Sequence, residues 1–154
     1  MLPLESDRMR SLASIAPMLL LIAACATRTE PIRADESARG VAPALAVERF
    51  LQAANRDDLV TMGRLFGTKD GPVIERDPRD EVEKRMFAIA AILKHEDYQI
   101  EDERIVPGRA DATQLMVRMK IGQRRVPVAY TLVRSKDGAW LVEMIDLEAI
   151  TSRR

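Results

Sequence analysis

Few side chains in this 154-residue chain are equipped for chemistry, and two of them are unique: Cys25 and His95. Cys25 is the one thiol nucleophile. It follows Ala23 and Ala24 at the end of the uncharged run Leu12–Ala24, which is 13 residues long. Small residues there let an extended chain enter a peptidase cleft and leave the thiol accessible. His95 is the one imidazole, a candidate base that falls at the end of a helical pattern, where positive charge is also favourable. Asp146 is the third candidate. It continues a strand pattern whose other members are apolar, and a carboxylate on such a face can act as general base or acid. Tyr98, Tyr130, Trp140 and Met144 are the side chains expected to line a ligand pocket beside it.

Other chemistries find no footing. One Cys and one His are too few for a structural zinc site or a disulfide framework. Gly63, Gly67 and Gly71 lack the Lys-Ser/Thr of a phosphate loop, and no Gly-x-Ser-x-Gly elbow occurs. Twenty-four basic and 24 acidic residues cancel, which argues against binding nucleic acid by phosphate neutralisation. The mixed-sign clusters Arg76–Glu81 and Glu101–Arg104 read as solvated surface. No cofactor and no metal are expected. Hydrophobic residues at 47% and charged residues at 31% fit a globular domain, and the length fits one.

The N-terminus carries an address. Arg8 and Arg10 precede the 13-residue apolar run, whereas a bilayer span needs roughly 20. That pattern is a signal-peptide core, residues 1–24. Met9-Arg10-Ser11 is a more usual opening than the acidic Met1–Arg8, so Met9 is an alternative start. Ile22-Ala23-Ala24-Cys25 resembles the lipobox of bacterial lipoproteins. The resemblance implies lipidation of Cys25, cleavage before it and a membrane anchor of more than one acyl chain. Ala26, in place of Asp, implies sorting to the outer membrane in a two-membrane envelope. Residues 25–42 are expected as a disordered linker, interrupted by Pro31 and Gly40.

The elements that position the candidates follow from periodicity. Pro43 suits the first turn of a helix carrying Val47, Phe50, Leu51 and Ala54. Asn55-Arg56-Asp57-Asp58 breaks it, and Asp57 is expected to cap a short helix with Leu59, Met62, Leu65 and Phe66, closed by Gly67. Residues 73–75 read as one very short strand. Asp80, with Glu83 three residues on, is expected to cap a third helix bearing Val82, Met86, Ile89, Ala90 and Leu93. After Asp97 the period becomes two. Four strands follow, with Gly122-Gln123 as a two-residue turn and Lys136-Asp137-Gly138 as a three-residue one.

Helices followed by an antiparallel meander make an α+β fold. The order (helix, Asn-Arg-Asp-Asp break, short helix, short strand, longer helix, four strands ending in Asp-Gly-Ala-Trp-Leu-Val) resembles the NTF2-like superfamily over about 43–150. Cystatin-like folds compete less well, because they lack the first two helices. The resemblance implies three N-terminal helices on a curved four-stranded antiparallel sheet, a cone with an apolar pocket, and dimers through the outer sheet face. Turn chemistry supplies the register: Leu115 opposite Tyr130, Val117 opposite Val128, Met119 opposite Val126, then Leu132 opposite Val142, Tyr130 opposite Met144 and Val128 opposite Asp146. All are expected on the inward face. The opposite face is basic around Arg118 and Arg125 and apolar around Ile145 and Leu147, so self-pairing and cover by the chain ends stand as equal explanations. The expected function is an envelope-tethered lipoprotein that binds a partner protein or a small apolar ligand. The alternative is a cofactor-independent pocket enzyme using Asp146 or His95.

Overall fold

The computed structural model describes residues 34–152, with the backbone alone over 34–41. The signal peptide, Cys25 and the linker as far as residue 33 lie outside the described residues. The elements run α1 (Ala34–Arg56), α2 (Leu59–Leu65), β1 (Gly67–Thr68), β2 (Gly71–Pro72), α3 (Arg79–Leu93), β3 (Asp97–Ile105), β4 (Ala112–Ile121), β5 (Arg124–Arg134), β6 (Trp140–Ile145) and α4 (Glu148–Thr151). The long strands form one antiparallel sheet in the order β3-β4-β5-β6. No described helix is long and apolar enough to cross a membrane.

The helices cover one sheet face, and the apolar stripes explain why. Phe50 and Leu51 of α1, Met62 of α2, and Val82, Met86 and Leu93 of α3 are all fully buried. They join Leu115, Val117 and Met119 of β4 and Val128, Tyr130 and Leu132 of β5 in one core. Packing is tight where α2 meets α3: a Cβ on Gly63 would stand 2.9 Å from Val82 Cγ1.

Local chemistry sets the element ends, in several places against the sequence expectation. Helix α1 begins at Ala34, so Pro43 sits inside it rather than in its first turn. The residues ahead of Pro43 include Ala34, Glu36, Ala38 and Arg39, all good helix formers. Asp58, not Asp57, caps α2, its Oδ1 accepting the Thr61 N–H at 3.0 Å. Asp57 instead reverses the chain with φ at +56°, a conformation Asp tolerates better than most residues. Pro78 stands at the N-cap of α3, just ahead of Arg79, and this places Asp80 in the first turn instead of at the cap. There Asp80 pairs with Lys84 at 3.4 Å while Glu83 pairs with Arg79 at 2.7 Å. Residues 73–75 form a 3₁₀ turn instead of a strand, with Arg76 N–H and Asp77 N–H both bonding to Val73 O. The short pairing falls earlier, between Gly67–Thr68 and Gly71–Pro72.

The sheet register splits in two. Between β4 and β5 every expected pair holds, from Ile121 opposite Arg124 to Leu115 opposite Tyr130. Gly122, at φ +57°, supplies the turn that fixes it. Between β5 and β6, Leu132 faces Val142 as expected, but the register then shifts. Thr131 faces Met144 and Tyr130 faces Ile145. Glu143 is the extra residue of a bulge. The bulge overturns the expected pairing of Tyr130 with Met144 and turns Met144 to the outer face.

Candidate functional site

The inner sheet face, expected to line a ligand pocket, is occupied by side chains. Tyr130 is fully buried, and its hydroxyl donates to Met119 Sδ at 3.3 Å. Loss of solvation holds that phenol protonated, far above its ordinary range. Trp140 is half-buried and packs against the same core from the start of β6. Tyr98 lies half-buried on β3. Desolvation raises its pKa first and the charge of Glu48 second, while a hydrogen bond with Gln52 opposes them. Met144 is 60% exposed on the opposite face of the sheet. The four expected pocket residues are therefore not brought together around one cavity.

His95 is held by its neighbours and lines neither the outer groove nor a pocket with Tyr130. Its Nδ1 lies 2.8 Å from the Leu93 carbonyl, so hydrogen-bond logic places the ring proton there. Nε2 then accepts from the Asn55 amide at 3.2 Å. Asn55 also donates to the His95 carbonyl at 3.1 Å and accepts the His95 N–H at 3.2 Å. Lys94 reaches the Asn55 carbonyl at 2.9 Å and the Asp57 carboxylate at 2.8 Å. The ring of Tyr98 stands edge-on to the imidazole, 5.4 Å between centroids. With both ring nitrogens engaged, His95 clasps the end of α3 to the end of α1, joining segments 40 residues apart.

Asp146 is exposed, against the expectation of an apolar inner-face carboxylate. Its Oδ1 accepts the Ala149 N–H at 3.2 Å and holds the first turn of α4. Asp146 and Met144 do share a site, but on the outer face. They line a groove of about 540 Å³ with Gln114, Ala129, Thr131, Ile145, Leu147 and Glu148. The floor comes from β4, β5 and β6, and the wall from the approach to α4.

Ion pairs frame the remainder of that face. Arg118 grips Glu101 with two bonds of 2.5 and 3.0 Å, and Lys120 pairs with Glu96. Glu101 is itself the extra residue of a bulge in β3. Arg109 reaches Glu143 at 2.5 and 3.2 Å. Arg118 and Lys120 are thus compensated by acids of β3 and its approach, whereas Arg125 of the same basic end has no acid partner among the described residues. The groove and the Glu143 bulge that builds it escaped the sequence reading. Their signal is present in Trp140–Leu147, where adjacent apolar pairs, Leu141-Val142 and Met144-Ile145, break strict alternation. Among the described residues, no group of three His, Cys, Asp or Glu is placed to hold a metal ion.

No family model matches the sequence, and no curated protein matches it. Among solved structures, the chain is similar to an NTF-2-like protein of unknown function from Silicibacter pomeroyi DSS-3. The identity is 17%, the alignment covers 71% of this chain and 94% of that one, and the TM-score is 0.48. Similarity at that level assigns no function.

Proposed function

We propose that the chain is an envelope lipoprotein, anchored through Cys25 (in the outer membrane where the envelope has two), whose NTF2-like domain serves as a binding module rather than as an enzyme. The observation that carries the binding reading is the contrast between the two sheet faces. The inner face is closed by Tyr130, Phe50, Leu115 and their neighbours, all fully buried. The outer face presents the groove around Met144, apolar in its centre and edged by Asp146 and Glu148. What favours docking here is that Met144 is grouped with Ile145, Leu147 and Ala129 in one concavity with polar edges, rather than standing alone as Phe87 and Ile105 do. A partner protein is therefore favoured over a small ligand, and a second copy of this chain counts as such a partner. The pocket-enzyme alternative loses support because His95 and Asp146 both have structural hydrogen bonds and share no cavity.

The anchor reading rests on Ile22-Ala23-Ala24-Cys25. Labelled fatty acid should be incorporated by the wild-type protein and lost with Cys25→Ser, since no other thiol exists. Labelling that survives the substitution would refute the anchor. The binding reading is tested by a photo-crosslinker at position 144, with one at Phe87, exposed on α3, as the comparison. Capture of a defined protein at 144 alone supports the groove. Equal or absent capture at both refutes it.

A further inference from the structure

A second concavity lies on the helical side, remote in sequence from the strands that build the outer groove. It measures about 370 Å³ and opens between α1 and α2. Arg49 and Arg56 come from α1, seven residues apart and so on one side of the helix. Arg64 comes from α2. Ala53 and Leu65 supply an apolar floor, and Asp58 is the one acid in the lining.

Three arginines without an acid partner among the described residues share this one concavity; Arg124, Arg125 and Arg134 also lack one, but they lie on β5. Arg79, Arg85, Lys94 and Arg118 each have an acid partner within 3.1 Å. Among the described residues, Arg49, Arg56 and Arg64 have none. The Asp58 carboxylate accepts the Thr61 N–H at 3.0 Å and serves as the cap of α2. Three exposed guanidinium groups therefore stand against one carboxylate that is already bonded. Guanidinium groups recognise phosphate by paired hydrogen bonds as well as by charge.

We infer that this arginine groove binds the anionic phospholipid headgroups of the membrane to which the chain is tethered. The choice of membrane rests on the lipoprotein reading of Cys25; the preference for a phosphate anion does not. Eight residues lie between Cys25 and Ala34, the first residue of α1, a span of nine residue steps. Extended, that segment reaches about 30 Å. Arg49 stands about 22 Å along the helix from Ala34. A domain lying with α1 along the bilayer can therefore hold its arginines at the headgroups while its anchor stays inserted. Tethering also raises the local concentration of headgroups, so a site that is weak in solution suffices.

The test uses residues 25–154 with Cys25→Ser, the mature chain without an acyl group. Every described core side chain lies between Ala44 and Ile150, so removing residues 1–24 takes none of them. Sedimentation with vesicles of equal parts phosphatidylglycerol and phosphatidylcholine should pellet the protein; phosphatidylcholine alone should not. Arg49→Gln, Arg56→Gln and Arg64→Gln combined should weaken binding about tenfold or more. Lys84→Gln, which removes a cation already paired with Asp80, should leave it within about twofold. Should the triple variant fail to melt cooperatively, Arg64→Gln alone is read, with a loss of about fivefold expected. No pelleting by the anionic vesicles, or equal pelleting of wild type and variant, would overturn the inference. So would stabilisation by inorganic phosphate without vesicle binding, which would make the groove a site for a free anion. Because the tested protein carries no acyl chain, failure of fatty-acid labelling at Cys25 is seen separately and cannot mimic these outcomes.

Discussion

Two of the sheet's three hairpins share β5 and differ in how their register is set. Between β4 and β5 the register follows from a two-residue turn at Gly122-Gln123, and side chains alternate cleanly from one end to the other. Between β5 and β6 the same rule holds for Leu132 and Val142 and then fails at Glu143. One extra residue sends every later side chain to the other face. The first hairpin therefore presents a regular wall to the helices, and the second builds a groove facing away from them. A turn controls register only as far as the ladder stays regular. The outer groove begins where that regularity ends.

The largest expected effect separates the faces energetically. Phe50→Ala empties a fully buried position in the wall of the core and should cost about 3–5 kcal/mol. Met144→Ala, past the bulge, should change stability by less than about 0.5 kcal/mol, because the side chain is 60% exposed. Denaturant titration of both variants measures the difference. Comparable losses would mean that the groove is packed as a core and would remove it as a docking surface.

The next prediction concerns the clasp between α1 and α3. Asn55→Ala removes three contacts to His95 at once, each exposed to water, and should cost roughly 1–2 kcal/mol. His95→Ala leaves the backbone contacts and should cost less. A double-mutant cycle should show coupling of about 0.5 kcal/mol or more, as expected for residues in direct contact. Additive losses would break the clasp into independent surface contacts and reopen His95 as a base.

How far the sequence reached can be judged from the same particulars. The α+β architecture, the helical stripes and the first hairpin register were legible, since each depends on periodicity and local turn chemistry. Helix ends were legible only to within a few residues. Asp57 and Asp58 are chemically identical, and only the chain reversal at Asp57 decides which one caps α2. Pro78 and Asp80 both suit a helix start, and proline took it. The clasp was not legible, because Asn55 and His95 meet only through the packing of α1 against α3. The groove left only a faint mark, the adjacent apolar pairs of Trp140–Leu147, because a bulge is chosen by the whole ladder. The arginine cluster joins residues of two helices whose relative placement no local pattern states.

The smallest expected effect sits at the junction between the clasp and the arginine groove. Hydrogen bonding to Thr61 holds the Asp58 carboxyl below its ordinary pKa, with the charges of Arg64 and Arg56 adding to it. A depressed folded-state pKa means stability that is present above the unfolded value and lost as pH falls through the folded one. The group is exposed, so the contribution is small, a few tenths of a kcal/mol after screening. Asn caps a helix about as well as Asp, so Asp58→Asn should keep α2 in place at neutral pH. It should also remove the acid-side loss belonging to this residue, because the amide does not titrate. The measurement is the stability difference between wild type and variant at neutral pH and again below the carboxylate range. The variant should gain relative to the wild type as pH falls. A difference that stays constant with pH would mean that the cap works by shape alone.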